Sequence, residues 1–163
     1  MRKSNTKLLW LLPISISLFA FGNSLMTGSV SANVSSQFMT ILGTFFQWLL
    51  NTDKNTAHLL IRKCAHFTEY FFLGATFQFA YLKNKAEYNT RQSSYLFIIL
   101  FLIPIIDESI QYFVPGRVAS FVDIIIDSSG IICGVLIIYF INHLIQKKRL
   151  IAITKVMDQN KQN

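Results

Sequence analysis

Four long apolar stretches alternate with short polar connections along this chain. They cover residues 8–26, 62–82, 94–114 and 121–144. As a helix rising about 1.5 Å per residue, each is long enough to cross a hydrocarbon core of about 30 Å. A fifth apolar stretch, residues 38–50, is too short to span and predicts an interfacial or re-entrant helix. The pattern therefore predicts an all-α integral membrane protein with four transmembrane helices and a short helix between the first and second.

The same pattern divides the chain into four parts. Residues 1–26 form a short N-terminus and the first transmembrane helix, although a cleaved signal peptide is the alternative for this part. Residues 27–61 form an extracellular loop that contains the short helix. Residues 62–144 form a three-helix membrane core, and residues 145–163 form a basic tail.

Composition and charge support the membrane interpretation and predict an orientation. The chain is 52% hydrophobic and only 14% charged, whereas soluble domains carry about 25% charged residues. If the N-terminus is cytoplasmic, eleven of the fifteen Lys and Arg residues lie on the inner side and four outside. Because positive charge favours the inner side, we predict a multi-pass protein of the cell membrane with both termini cytoplasmic.

The net charge of +7 does not indicate a nucleic-acid-binding protein. Its basic residues lie in the connections between apolar stretches, and no basic face with interleaved aromatic residues is present. The two cysteines, Cys64 and Cys133, form no CxxC pair and are interpreted as small membrane-embedded residues.

Three of the predicted spans deliver polar side chains to the outer leaflet. Residues 62, 66 and 69 share one helical face, and residues 120, 123 and 127 share another that continues into Gly130 and Gly134. An ionisable side chain at membrane depth costs about 2.5–3.5 kcal/mol on insertion scales, so such a cluster is a functional-site hypothesis. The predicted cluster comprises Arg62, His66, Glu69, Asp107, Glu108, Gln111, Arg117, Ser120, Asp123 and Asp127.

Two kinds of role are predicted within this cluster. The candidate acid/base groups are His66, Glu69, Asp107 and Asp123. The candidate substrate-binding groups are Arg62, Glu108, Gln111, Arg117, Ser120 and Asp127. A purely structural network, in which Arg62, Lys63 and Arg117 neutralise the acids, is the competing interpretation. The acids outnumber these bases, which favours a ligand or bound protons.

The sequence predicts no cofactor and no metal. The side chains of His66, Glu69, Asp107 and Asp123 offer nitrogen and oxygen ligands, so a metal site is the weaker alternative. No HExxH motif or thiolate pair supports it. Ser109 and Ser120 lack the G-x-S-x-G context of a hydrolase nucleophile.

Two motifs carry a resemblance to a known family. The first is RKCAHFTEY at residues 62–70, followed by Leu73 and Gly74. The second is DExxQxFxPGRxxSxxD at residues 107–123. Together with Gly130 and Gly134, they resemble the VanZ-like family over residues 60–142. One departure is Asp127, which stands where the family pattern usually has Asn, so an acid replaces an amide.

The resemblance implies a small bacterial membrane protein with a role in the cell envelope. The family is named for low-level resistance to teicoplanin-type glycopeptides in Gram-positive bacteria, without an altered peptidoglycan precursor. The implied partners are membrane lipid and either a lipid-linked envelope precursor or the glycopeptide. Two alternatives stay open. One is an intramembrane enzyme on a lipid or polyprenyl-phosphate substrate, and the other is a proton- or ion-coupled transporter, which would need a homo-oligomer.

Overall fold

The protein is a bundle of four long helices in a computed structural model that describes residues 6–28, 42–43, 48, 53–88 and 95–162. A 3-10 turn, Thr6–Trp10, leads into helix α1, which covers Leu11–Leu25. The other helices are α2 (Lys54–Tyr88), α3 (Tyr95–Phe113) and α4 (Phe121–Gln162). No strand occurs in the described ranges, and the predicted all-α class is confirmed.

Three helices in the described part of the chain are long and apolar enough to cross a membrane. They are Thr6–Leu25, Tyr95–Phe113 and Phe121–Asn160. Helix α2 is longer than a span requires, but it carries Arg62, Lys63 and Glu69 among its apolar residues. The membrane class is thus supported, whereas the count of four spans remains a prediction. Most of the predicted short helix at 38–50 lies outside the described residues.

Helix α2 begins eight residues before the start of the predicted span. The Asp53 carboxylate accepts hydrogen bonds from the backbone N–H of Thr56 at 3.3 Å and from its hydroxyl at 2.5 Å. This is the usual way an aspartate caps the first turn of a helix. The polar stretch before the span is therefore where the helix starts. At the other end of the chain, α4 continues through the basic tail as an exposed helix.

Helices α2 and α4 run parallel and pack with their backbones in close contact. Gly130 lies against the backbone of Phe67, and Gly134 lies one turn further along, against Phe71. Gly74 of α2 makes the reciprocal approach to Ile131 of α4. A Cβ atom at any of these glycines would overlap backbone atoms of the opposite helix. This is the close approach that a GxxxG pattern permits between membrane helices.

Helices α1 and α3 run antiparallel to this pair and complete the core. At one end of the bundle, the Asn84 side chain donates a hydrogen bond to the backbone carbonyl of Thr6 at 3.0 Å. Next to it, the Phe77 ring contacts the rings of Trp10 and Phe97, each at a centroid distance of 5.3 Å. The buried apolar core comprises Tyr70, Leu73, Phe77, Leu100 and Ile131. The opposite end of the bundle holds the buried ionisable groups.

The glycine contacts predict unequal effects of the same substitution. Gly134→Ala should lower the free energy of unfolding by about 1–3 kcal/mol, because the added methyl group overlaps α2 backbone. Gly22→Ala is the matched control, since nothing lies within 4 Å of its added Cβ, and it should stabilise α1 by about 0.5–1 kcal/mol. Thermal unfolding of both variants in one detergent checks this. Equal behaviour of the two variants would contradict the packing described here.

Candidate functional site

All ten predicted site residues lie at one end of the bundle. Three helices and the turn between α3 and α4 contribute them. Five of the ten are at most 5% exposed, although all five carry ionisable or amide side chains; they are Asp107, Glu108, Gln111, Asp123 and Asp127. Such groups are stable in an apolar surrounding only with hydrogen-bond or charge partners, so the partners of each group indicate what the site can do.

A hydrogen-bonded hub on α3 joins that helix to α1. The Ser24 hydroxyl donates to Asp107 Oδ1 at 2.7 Å. The Gln111 amide nitrogen contacts Ser24 Oγ and Asp107 Oδ2, each at 3.2 Å, and Glu108 Oε1 at 3.3 Å. The Tyr70 hydroxyl is buried beside Asp107. Asp107 is therefore held in one orientation from several sides.

Glu108 fixes the start of α4. Its Oε2 accepts a hydrogen bond from the backbone N–H of Ser120 at 2.8 Å, and the Ser120 carbonyl accepts from Asp123 N at 3.0 Å. A carboxylate at a helix N-terminus is favoured by the unpaired N–H groups and the helix dipole. Ser120 thus contributes its backbone to this contact.

Arg117 caps the end of α1. Its Nε donates to the carbonyl of Met26 at 3.1 Å, and its Nη2 donates to the carbonyl of Asn23 at 2.7 Å. A cation at these carbonyls is favoured at a helix C-terminus. Burial and the nearby Arg62 lower the pKa of Arg117 below its usual range. Under the structural interpretation of the sequence, Arg117 would neutralise an acid of the cluster, but its described hydrogen bonds and ion pairs include neither Asp107 nor Glu108.

Two bases of α2 neutralise Asp123 of α4. Lys63 Nζ lies 2.6 Å from Asp123 Oδ1, and Arg62 Nη2 lies 3.5 Å from Oδ2. The Asp123 side chain is 7% exposed, whereas that of Arg62 is 41% exposed. Asp123 therefore has a strong structural partner in Lys63, and Arg62 is the cation of this trio that is more open to a ligand.

The remaining acids lack such partners. Asp127 has a fully buried side chain, and neither of its carboxylate oxygens has a hydrogen-bond partner among the described residues. Its Oδ1 lies 3.6 Å from His66 Nδ1, which is also unpartnered there. One carboxylate oxygen of Glu69 is also buried without a hydrogen-bond partner among the described residues. His66, Asp107 and Asp127 each offer one ligand atom within 4.8 Å of the others, so these three could hold a metal.

A cleft of about 700 Å³ opens on the side of the bundle and is lined by Glu69. It lies between α1 and α2 and is mostly apolar, with Glu69 as the acidic residue in its wall; the other lining residues include Ile16, Phe19, Ile61, Cys64 and Phe72. Such a cleft fits an apolar chain, and Glu69 is positioned to meet a polar group carried on that chain.

The sequence reasoning missed the part of the site that α1 contributes. Ser24 contacts Asp107 and Gln111, and the carbonyls of Asn23 and Met26 bind Arg117. The adjacent polar pair Asn23 and Ser24, at the end of a mostly apolar helix, is the signal that could have found it. The structure also makes Lys63 the closest partner of Asp123.

The fold and the cluster define a multi-spanning α-helical membrane protein with a buried polar site at one end. The VanZ/LLP1 family model matches residues 7–142. The chain belongs to this family, which confirms the resemblance. The match includes α1, in keeping with the contacts that Ser24 makes to α3. No curated protein and no solved structure matches the chain.

The hydrogen bonds around Asp107 predict that removing the Ser24 hydroxyl lowers the stability of the protein. Ser24→Ala removes the hydroxyl that Asp107 Oδ1 accepts, so the free energy of unfolding should fall by about 1–3 kcal/mol. Ser15→Ala is the matched control, because its exposed hydroxyl bonds only to the carbonyl of Leu12 in its own helix. Thermal unfolding in detergent measures both changes. A Ser24→Ala variant as stable as Ser15→Ala would mean that the hub contributes no stability.

Proposed function

We propose that this protein acts in the cell envelope by binding a phosphate-bearing lipid or lipid-linked precursor, and that this binding gives low-level resistance to teicoplanin-type glycopeptides. The cleft beside Glu69 is the observation that carries the proposal. An apolar chain of the ligand lies in the cleft, and its headgroup meets the polar cluster. Most of the energy of such binding comes from the apolar contact, and the polar groups give orientation.

The cations at the rim fit this kind of headgroup. Arg62 lies four residues before His66 on α2, and its side chain is 41% exposed. Although its Nε is buried, the exposed part of the guanidinium offers N–H donors to a phosphate oxygen. Lys63 and Arg117 bind Asp123 and the α1 carbonyls and hold the site in shape.

Orientation is part of the proposal. We place the protein in the cell membrane with both termini in the cytoplasm, because eleven of its fifteen Lys and Arg residues then lie on the inner side. The polar cluster then faces the outer leaflet, where lipid-linked envelope precursors and glycopeptides meet.

An intramembrane enzyme acting on the same lipid phosphate is the second candidate. It is favoured by Glu69, whose carboxylate has a buried, unpartnered oxygen in the wall of the cleft. A carboxyl group in that position can accept a proton from an attacking water or hydroxyl group. Arg62 would hold the phosphate during this step.

Glu69 provides the test. The wild type, expressed in a susceptible Gram-positive host, should raise the inhibitory concentration of teicoplanin several-fold, and more than that of vancomycin. Glu69→Gln should return this concentration to the level of the empty vector, because a neutral amide replaces the carboxylate that accepts hydrogen bonds from hydroxyl groups of the ligand. Asp158→Asn is the control, since Asp158 is exposed on the far part of α4. Membrane levels of all variants are matched by blotting.

Two outcomes would count against the proposal. If the wild type gives no protection against teicoplanin, the resistance role fails for this protein. If Glu69→Gln protects as well as the wild type, the cleft beside Glu69 is not the binding site.

A further inference from the structure

Three side chains from three different helices converge at one buried point. They are His66 of α2, Asp107 of α3 and Asp127 of α4, with one ligand atom each within 4.8 Å of the others. Ligand atoms bound to one tetrahedral metal at about 2.0–2.2 Å lie about 3.5 Å apart. Shifts of about 1 Å in the positions of the ligand atoms, made by side-chain rotation, would therefore bring the three groups to coordination distance.

Asp127 has no Lys or Arg partner among the described ion pairs, and the base beside it is His66 at 3.6 Å. Lys63 and Arg62 contact Asp123, and Arg117 contacts carbonyls of α1. Its carboxylate is completely buried, and both of its oxygens are without hydrogen bonds among the described residues. A carboxylate in this state needs a proton or a nearby cation, and no Lys or Arg among the described residues is paired with it.

The neighbouring groups are arranged as the ligands and supports of a metal would be. Within the described part of the chain, His66 Nδ1, which faces Asp127, and the buried Oε1 of Gln111 have no hydrogen-bond partner. Ser24 and the Gln111 amide nitrogen hold Asp107 by hydrogen bonds. Such contacts fix the orientation of metal-binding carboxylates in proteins.

The ligand set indicates the class of metal. One imidazole nitrogen and two carboxylate oxygens suit a divalent transition ion of borderline hardness, and a soft, thiolate-binding ion is disfavoured. Two carboxylates also carry the charge that a divalent cation neutralises. Glu69 lies one helical turn from His66, so such an ion would sit close to the cleft.

We propose that His66, Asp107 and Asp127 form a binding site for a divalent transition-metal ion of the Zn²⁺ class within the helix bundle. This site goes beyond the proposed lipid binding and does not rest on it. The site uses three side chains that the resistance assay leaves unchanged, so each idea can fail while the other stands.

Zinc binding by the purified protein tests this proposal directly. The full chain is purified in detergent with a histidine-free affinity tag, stripped with a chelator and dialysed against Zn²⁺, and the bound metal is measured by mass spectrometry. The wild type should retain about one ion per chain, as expected for a single site. Asp127→Asn and His66→Gln should each lower the affinity at least about tenfold.

Matched controls separate the site from adventitious binding. Asp158→Asn and His143→Gln make the same chemical changes at exposed positions of α4 and should bind zinc as the wild type does. Asp127→Asn keeps the shape of the side chain, and circular dichroism checks that it folds. Zinc should also raise the unfolding temperature of the wild type and leave that of Asp127→Asn unchanged, because only a ligand of the folded state stabilises it.

Two results would overturn the proposal. A wild type that retains no zinc, and is not stabilised by it, would mean that Asp127 is kept neutral by a proton. Equal zinc retention by the wild type and by Asp127→Asn would mean that the ion binds elsewhere on the protein.

Discussion

The close contact between α2 and α4 is the constraint on which the polar site depends. Gly130 and Gly134 bring the two backbones together along α2, and this contact sets the register of the parallel pair. In that register Asp123 faces Lys63, and Asp127 faces His66 one turn deeper. A larger residue at either glycine would separate the helices and leave buried acids without partners, which an apolar surrounding penalises strongly.

The site has two parts with different energetics. In one part every acid is held: Asp123 by Lys63, Glu108 by the backbone of Ser120, and Asp107 by Ser24 and Gln111. In the other part, Asp127 and one oxygen of Glu69 are buried without a hydrogen-bond partner among the described residues. The first part stabilises the bundle. The second costs stability; the lipid proposal gives a role to Glu69 in the wall of the cleft, and the metal proposal gives one to Asp127.

The sequence predicted the helical class and the convergence of polar residues because helical periodicity shows which residues share a face. It could not show which residue on another helix each face meets. Ser24 was therefore missed, and Arg117 was assigned to a substrate although it binds carbonyls of α1. The early start of α2 depends on one cap at Asp53. The partner of Asp123 depends on a register that only the packed glycines define.

The most direct test asks whether Asp123 is paired and Asp127 is not. It compares the free energy of unfolding of metal-free protein carrying either Asp123→Asn or Asp127→Asn. The two substitutions are chemically identical, and both residues are buried on α4. Asp123→Asn breaks a partly buried, charge-assisted contact with Lys63 and should cost about 1–3 kcal/mol. Asp127→Asn removes a buried carboxylate that has no hydrogen-bond partner among the described residues and should leave stability equal or higher. Equal losses in the two variants would contradict the account, because Asp127 would then be as firmly paired as Asp123.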